Sequence, residues 1–216
     1  MRKDDTRSSR KWDERYDATD YAYGDQPNQF LTQAIEKIAT QHQGKALCLA
    51  EGEGRNAVFL ASLGYEVVAM DQSAVGLEKA NRLAADRQVD IVTRQADLND
   101  YEPEPNTFDL ITMIWAHTPK PVRLKSYEPV RLKSYEIVKK GLKRGGYFIL
   151  EGYLPSQSTR NTGGPSDPEF MFTLGELRTH FTDFNIIIGR ELTRNVTEGI
   201  YHTGSGDVVQ LLALKL

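Results

Sequence analysis

Residues 47–71, LCLAEGEGRNAVFLASLGYEVVAMD, constrain the fold of this chain more than any other stretch. Residues 46–50 are apolar without a break, as a central parallel strand buried on both faces requires. Gly52 and Gly54 follow, where the backbone must turn sharply or admit a close neighbour. Ala57, Val58, Leu60 and Ala61 then recur as on a helix packed against a sheet. Gly64 stands where a helix C-terminal glycine belongs. Residues 65–70 read as the next strand, with Asp71 at its carboxyl end. A unit of this kind grips adenosine-containing cofactors in α/β proteins, the acid accepting bonds from ribose hydroxyls. An ordinary βαβ turn with a solvent-facing acid has the same spacing.

The loop chemistry distinguishes two cofactor classes. Gly52, Gly54 and Ala57 satisfy G-x-G-x-x-A, so a nicotinamide dinucleotide and an NAD(P)-binding oxidoreductase are one reading. The dinucleotide pyrophosphate is anionic and would lie against this loop and the helix start, where Glu51 and Glu53 repel it. S-adenosylmethionine brings a sulfonium and an ammonium to the same place, which carboxylates suit. The charge argument favours the methyl donor, unless either glutamate points to water. A non-catalytic S-adenosylmethionine-binding protein is a further alternative.

The stretch AEGEGRNAVFLASLGYEVVAMDQSAVGLEKA resembles the first two motifs of class I S-adenosylmethionine-dependent methyltransferases. It is especially similar to the tellurite-resistance and thiopurine methyltransferase branch. WDERY, with Trp12, Arg15 and Tyr16, resembles that branch's N-terminal W-x-x-R-Y element. QADL, ending at Asp97 and Leu98, resembles its third-strand acid, and GGYFILE, ending at Glu151, its fifth strand. Two positions depart from the pattern. Ala50 replaces the first motif glycine, a mild change if its φ stays negative, and Cys48 stands where an acid is frequent, so a support of the loop is missing there.

The resemblance implies a Rossmann-like fold, α/β, with a seven-stranded mostly parallel sheet, helices on both faces and an antiparallel last strand. It implies an enzyme that moves a methyl group in line from S-adenosylmethionine to a small-molecule nucleophile, a chalcogen oxyanion or a thiol. The expected cofactor site draws on Trp12, Arg15, Tyr16, Tyr23, Gly24, Ala50, Glu51, Gly52, Glu53, Arg55, Asn56, Asp71, Gln72, Ser73, Asp97, Leu98 and Trp115. Trp12, Arg15 and Tyr16 would close over the donor, with Arg15 meeting its carboxylate, and Tyr23 and Gly24 would belong to the same lid. Asp97 would lie near the adenine amino group, or simply begin a polar loop.

His117 follows the fourth strand at the C-terminal edge, where α/β sites lie. As a catalytic base it could take a proton from a hydroxyl, thiol or amine acceptor; a structural role is the alternative. Glu151, Tyr153, Asn161, Tyr201 and His202 are candidates, with His117, for the acceptor side. Methyl transfer to a soft or anionic nucleophile needs little acid–base help, because in-line placement supplies much of the rate. No metal-ligand set is expected.

At 216 residues one α/β core is feasible. The net charge of −3 gives no electrostatic reason to expect a nucleic-acid substrate. A single cysteine allows no internal disulfide and suits a reducing compartment. No apolar run approaches the ~20 residues of a membrane span, and the charged start MRKDDTRSSRKWDE is unlike a secretory signal. A cytoplasmic protein is expected, with no membrane partner and an open oligomeric state. Residues 1–11 read as a mobile arm and 12–216 as one domain.

Pro27 is expected to open a helix and Ser73 to cap another. Further strands are expected at 89–94, 108–115, 147–150, 185–194 and 208–215, with a helix at 173–181. Residues 121–128 and 129–136 repeat PVRLKSYE letter for letter. Eight residues turn about 800° in a helix, roughly 80° from whole turns, and Pro129 would cost ~3 kcal/mol inside one. The second copy is therefore expected to start the packed helix, and the first to be a duplicated insertion outside it.

Overall fold

The computed structural model describes residues 5–38, 44–118, 130–160 and 162–216. Seven strands form one sheet: β1 (Lys45–Leu49), β2 (Glu66–Asp71), β3 (Val92–Gln95), β4 (Phe108–Ile114), β5 (Leu142–Tyr153), β6 (Phe184–Glu198) and β7 (His202–Lys215). Their spatial order is β3-β2-β1-β4-β5-β7-β6. Strands β1 to β5 pair in parallel, and β7 runs antiparallel to both β5 and β6. The expected class I architecture is therefore present.

Alternation along β1 explains how one short strand serves two layers. Ala46 and Cys48 face α2 (Gln29–Lys37) and α3 (Arg55–Ser62), through Phe30, Leu31, Ala34, Ala57 and Leu60. Leu47 and Leu49 face the other layer, where α5 (Val130–Gly141) and α6 (Leu174–His180) supply Tyr135, Ile137, Val138, Leu177 and Phe181. Helix α4 (Ala74–Asp86) packs beside α3, Leu83 and Ala84 meeting Val58. Gly64, at φ 89, closes α3: its N–H bonds to Ala61 O and the Tyr65 N–H reaches back to Leu60 O, the usual glycine-terminated helix end.

Several local expectations are corrected. Pro27 does not start α2; Asn28 caps it, Oδ1 accepting from the Leu31 N–H at 2.9 Å. Helix α1 (Asp5–Tyr16) begins within the stretch read as a mobile arm. β3 starts at Val92 rather than 89. The last two strands are much longer than their apolar centres, because polar residues beyond the sheet continue as a hairpin registered as far as Glu198 opposite His202. Its tip needs Gly199, at φ 69: a Cβ there would stand 2.3 Å from Ala22 O. The hairpin thereby docks on residues 21–24, and the Ile200 N–H bonds to Ala22 O.

The first repeat copy, residues 121–128, and Pro129 lie outside the described residues. Within the second copy Arg131, Ser134 and Tyr135 are buried, as are Ile137 and Val138 just after it. Arg131 donates to the carbonyls of Thr118, Met171 and Glu169, pairs with Glu176 at 3.3 Å, and lies 4.6 Å from the Phe172 ring centre. One guanidinium thus ties α5 to the end of β4 and to the segment before α6. Replacing Arg131 with Met leaves three carbonyls without this donor, and should cost about 3 kcal/mol. Urea unfolding with an unchanged slope checks this; a negligible loss would contradict it.

Candidate active site

A cavity of about 1040 Å³ opens at the carboxyl ends of β1, β2 and β4. Its base is the loop between β1 and α3. Three of the loop's residues take positive φ: Ala50 at 51, Gly52 at 64 and Gly54 at 91. Gly54 is required by packing, since a Cβ would meet the Ala80 Cβ at 2.5 Å; at Gly52 it would meet Tyr16 Oη at 2.7 Å. Ala50 corrects the expectation of a negative φ: the alanine occupies a left-handed position that favours glycine.

Carboxylates hold this loop. Asp71 Oδ2 accepts from the Gly52 N–H and Oδ1 from the Ser73 N–H, both at 2.8 Å. Burial pushes the Asp71 carboxyl up to about 6, against those amides. Glu51 Oε1 accepts from the Asn56 and Ala57 N–H groups at 2.9 and 2.8 Å, capping α3. Its carboxyl also lies within hydrogen-bonding reach of the Cys48 thiol, and burial raises it to about 7. The support expected to be missing at Cys48 is thus supplied from the loop itself. Glu53 pairs with buried Lys79 at 2.5 Å and accepts from the Tyr23 N–H.

The N-terminal lid is built around that pair. Lys79 Nζ also donates to the carbonyls of Ala18 and Asp20, at 2.9 and 2.7 Å, fastening the segment after α1. Trp12 stacks on Tyr16, with ring centres 5.7 Å apart. Arg15 donates to Tyr23 Oη at 3.1 Å and lies 4.0 Å from the Tyr201 ring centre. Among the described residues it forms no ion pair. Across the cavity, Asp97 Oδ1 accepts from the Asn99 backbone and side-chain amides, so it starts a turn as well as lining the wall.

Of the residues expected from sequence, Trp12, Arg15, Tyr16, Tyr23, Gly24, Ala50, Glu51, Glu53, Arg55, Asn56, Asp71, Gln72, Asp97, Leu98, Trp115, His117, Tyr201 and His202 line this cavity. Gly52 and Ser73 do not. Gly52 is covered by Tyr16, and Ser73 caps α4 through Gly76 and donates to Asp13 Oδ1 at 2.6 Å. Glu151 and Tyr153 are fully buried behind the wall, and Asn161 lies outside the described residues.

His117 is misplaced for the expected role as base. Its Nε2 already accepts from the Tyr153 N–H at 2.9 Å, and the ring also bonds to the Trp115 backbone. Burial, reinforced by the Arg131 charge, lowers its pKa to about 3. The ring is a neutral brace. His202, similarly lowered to about 3 by burial, keeps a buried Nδ1 without a partner.

Two features escaped the sequence reading. Gly163 and Gly164 help roof the cavity, both at positive φ and packed on Tyr153. Behind the wall lies a buried charge network. Glu198 Oε2 accepts from Arg55 at 2.5 Å and from the Trp115 indole N–H at 2.6 Å. Arg194 bridges Glu198 and Glu151, and Asn28 donates to both acids. The polar end of a hairpin carried no local pattern pointing to it.

Residues 46–131 match the family model for a methyltransferase domain. The chain has the Rossmann-like methyltransferase fold around this matched segment. It is an enzyme, and S-adenosylmethionine is its cofactor. Solved structures share its fold. One, described as the conversion of a disulfide bond into a thioacetal group during echinomycin biosynthesis, is 16% identical, covers 96% of this chain and 92% of its own, and has a TM-score of 0.73. TehB from Haemophilus influenzae is 18% identical over 96% of this chain and 67% of its own, with a TM-score of 0.66. An S-adenosylmethionine-dependent methyltransferase from Methanosarcina mazei is 19% identical over 84% and 97%, with a TM-score of 0.65. No curated protein matches the chain. Among the described residues, no helix is long and apolar enough to cross a membrane.

The donor set fits the cofactor. The α3 amides that could receive a pyrophosphate are already taken by Glu51, whereas Asp71 and Glu51 have no ion-pair partner among the described residues, which suits a cationic ligand.

Two predictions follow from the loop. Ala50→Gly removes left-handed strain and should raise stability by up to about 1 kcal/mol, after the added freedom of the unfolded chain; a destabilised variant in thermal melts would contradict it. Glu51 ionises at higher pH in the folded chain than in the unfolded one, so its contribution favours folding at low pH and is lost as pH rises through about 7. The buried histidines act in the opposite sense, so the comparison must be with Glu51→Gln. The stability of the natural chain relative to that variant should fall between pH 5 and pH 8; a rise would refute the assignment.

Proposed function

We propose that this chain transfers a methyl group from S-adenosylmethionine to a small-molecule nucleophile by in-line displacement. The observation that carries the reading is the shape of the cavity. It continues from the cofactor loop past Trp115 to Tyr201 and His202, at the upper end of the ~300–1,000 Å³ of single-ligand clefts. That leaves room for a second small molecule beside the cofactor. S-adenosylmethionine supplies an activated methyl on a good leaving group.

The chain's own residues do the rest. Asp71 presents carboxylate oxygens toward the expected ribose position, and Asp97 and Leu98 border the adenine end. Ala50, Glu51 and Glu53 surround the methionine end, and Arg15 is the guanidinium placed for its carboxylate. The lid of Trp12, Tyr16 and Tyr23 excludes water. With His117 committed to the backbone, no described residue is arranged as a strong base, which suits an acceptor that is already nucleophilic. A chalcogen oxyanion or a thiol fits that requirement. The WDERY and GEGRNA motifs, with the TehB likeness, support the tellurite-resistance and thiopurine branch. The net charge supports a small molecule over nucleic acid.

Titration calorimetry with S-adenosylmethionine and with NAD tests the donor assignment, and donor consumption with selenite, tellurite and small thiols tests the acceptor class. Asp71→Ala removes one or two ligand bonds and the brace on Gly52, and should weaken S-adenosylmethionine binding ten-fold or more, on the order of 1–2 kcal/mol per bond. An unchanged dissociation constant in a folded variant would count against the site.

A further inference from the structure

We propose that Glu198 is a positioning residue for this reaction: it sets the Trp115 indole as the wall between the cofactor loop and the acceptor end, and couples that wall to the loop through Arg55. The inference rests on the methyl-transfer reading of the cavity. Trp115 directly follows β4 at φ 56, a left-handed conformation that costs a non-glycine residue on the order of 1–2 kcal/mol. Its surroundings must therefore hold it. The backbone is pinned by a bond from the Trp115 N–H to Glu151 O at 2.8 Å. The ring is pinned at its one polar atom, the indole N–H, by Glu198 Oε2 at 2.6 Å. Around it pack Tyr153 at 4.5 Å and His202 at 4.8 Å between ring centres.

Glu198 is otherwise fully engaged. Oε2 also receives Arg55, and Oε1 receives Arg194 at 2.8 Å and the Asn28 amide at 3.0 Å. Burial opposes the charge, but Arg55, Arg194 and the indole together hold the carboxyl down to about 2, so it is ionised throughout the physiological range. Arg55 directly follows Gly54, and Glu198 ends β6 just before the Tyr201–His202 tip. One carboxylate therefore joins the cofactor loop, the Trp115 wall and the hairpin. A shift of the loop on ligand binding reaches the acceptor wall through two hydrogen bonds. A network that only stabilised the fold would not transmit such a shift.

The chain has two tryptophans, so Trp12→Phe leaves Trp115 as the sole reporter. Binding of S-adenosylhomocysteine is followed by calorimetry and by Trp115 emission. In the Trp12→Phe protein, saturation should change the emission. With Glu198→Gln added, the ligand-free emission should move to longer wavelength and the change on binding should be lost. With Arg55→Lys, which keeps the charge, the ligand-free emission should stay and the change on binding should again be lost. Full retention of the response in either variant, or no response in the Trp12→Phe protein that binds ligand, overturns the proposal. Should Glu198→Gln not fold, Arg55→Lys decides alone. Should the Trp12→Phe protein and the natural chain bind no ligand in calorimetry, the cofactor reading fails instead. The ligand-free emission of Glu198→Gln then judges Glu198, an unmoved spectrum refuting it.

Discussion

The two hydrogen bonds accepted by Asp71 fix the geometry on which the site depends. They join the turn after β1 to the turn after β2, so the two crossover helices leave the sheet at set positions. Because the acid is buried, the bonds act without competition from water, and the carboxyl is held at a cost visible in its raised pKa. Everything that lines the cofactor end, from Ala50 to Gln72, is placed relative to this one side chain.

A charge imbalance marks the same loop. Glu53 and Asp71 are buried around one loop with Glu51 half-buried beside them, and among the described residues only Glu53 of the three has an ion-pair partner, Lys79. The other two are satisfied by backbone amides, which stabilise charge without cancelling it. A cation entering this space removes the penalty, and an anion raises it. Glu51, capping α3, also occupies two amides of the helix start. Lys79 in turn fastens the segment after α1, so the placing of that segment belongs to the same electrostatic arrangement.

The sheet was legible because its strands obey burial rules that need no tertiary knowledge. Residues 46–50 and 67–70 are apolar in unbroken runs, and Gly64 marks the helix end. Legibility stopped where long-range partners decide. Ala50 gives no local sign of a positive φ. His117 reads as a base until the Tyr153 N–H is found on its Nε2. Arg131, Glu198 and Arg194 are charged residues of exposed-looking segments, and only the folded chain brings them to their buried partners. Most of the lining residues were nonetheless identifiable, because the glycine loop and the strand ends are contiguous motifs. Gly52, Ser73 and Glu151 were not separable from them, since supporting a loop and lining it leave the same trace in sequence.

A crystal structure of the chain with S-adenosylhomocysteine tests the central claim most directly. The account predicts ribose hydroxyls on Asp71, adenine beside Leu98 with its amino group toward Asp97, and the amino-acid end between Glu53 and Arg15. A ligand bound elsewhere, or one whose ribose makes no contact with Asp71, would contradict it.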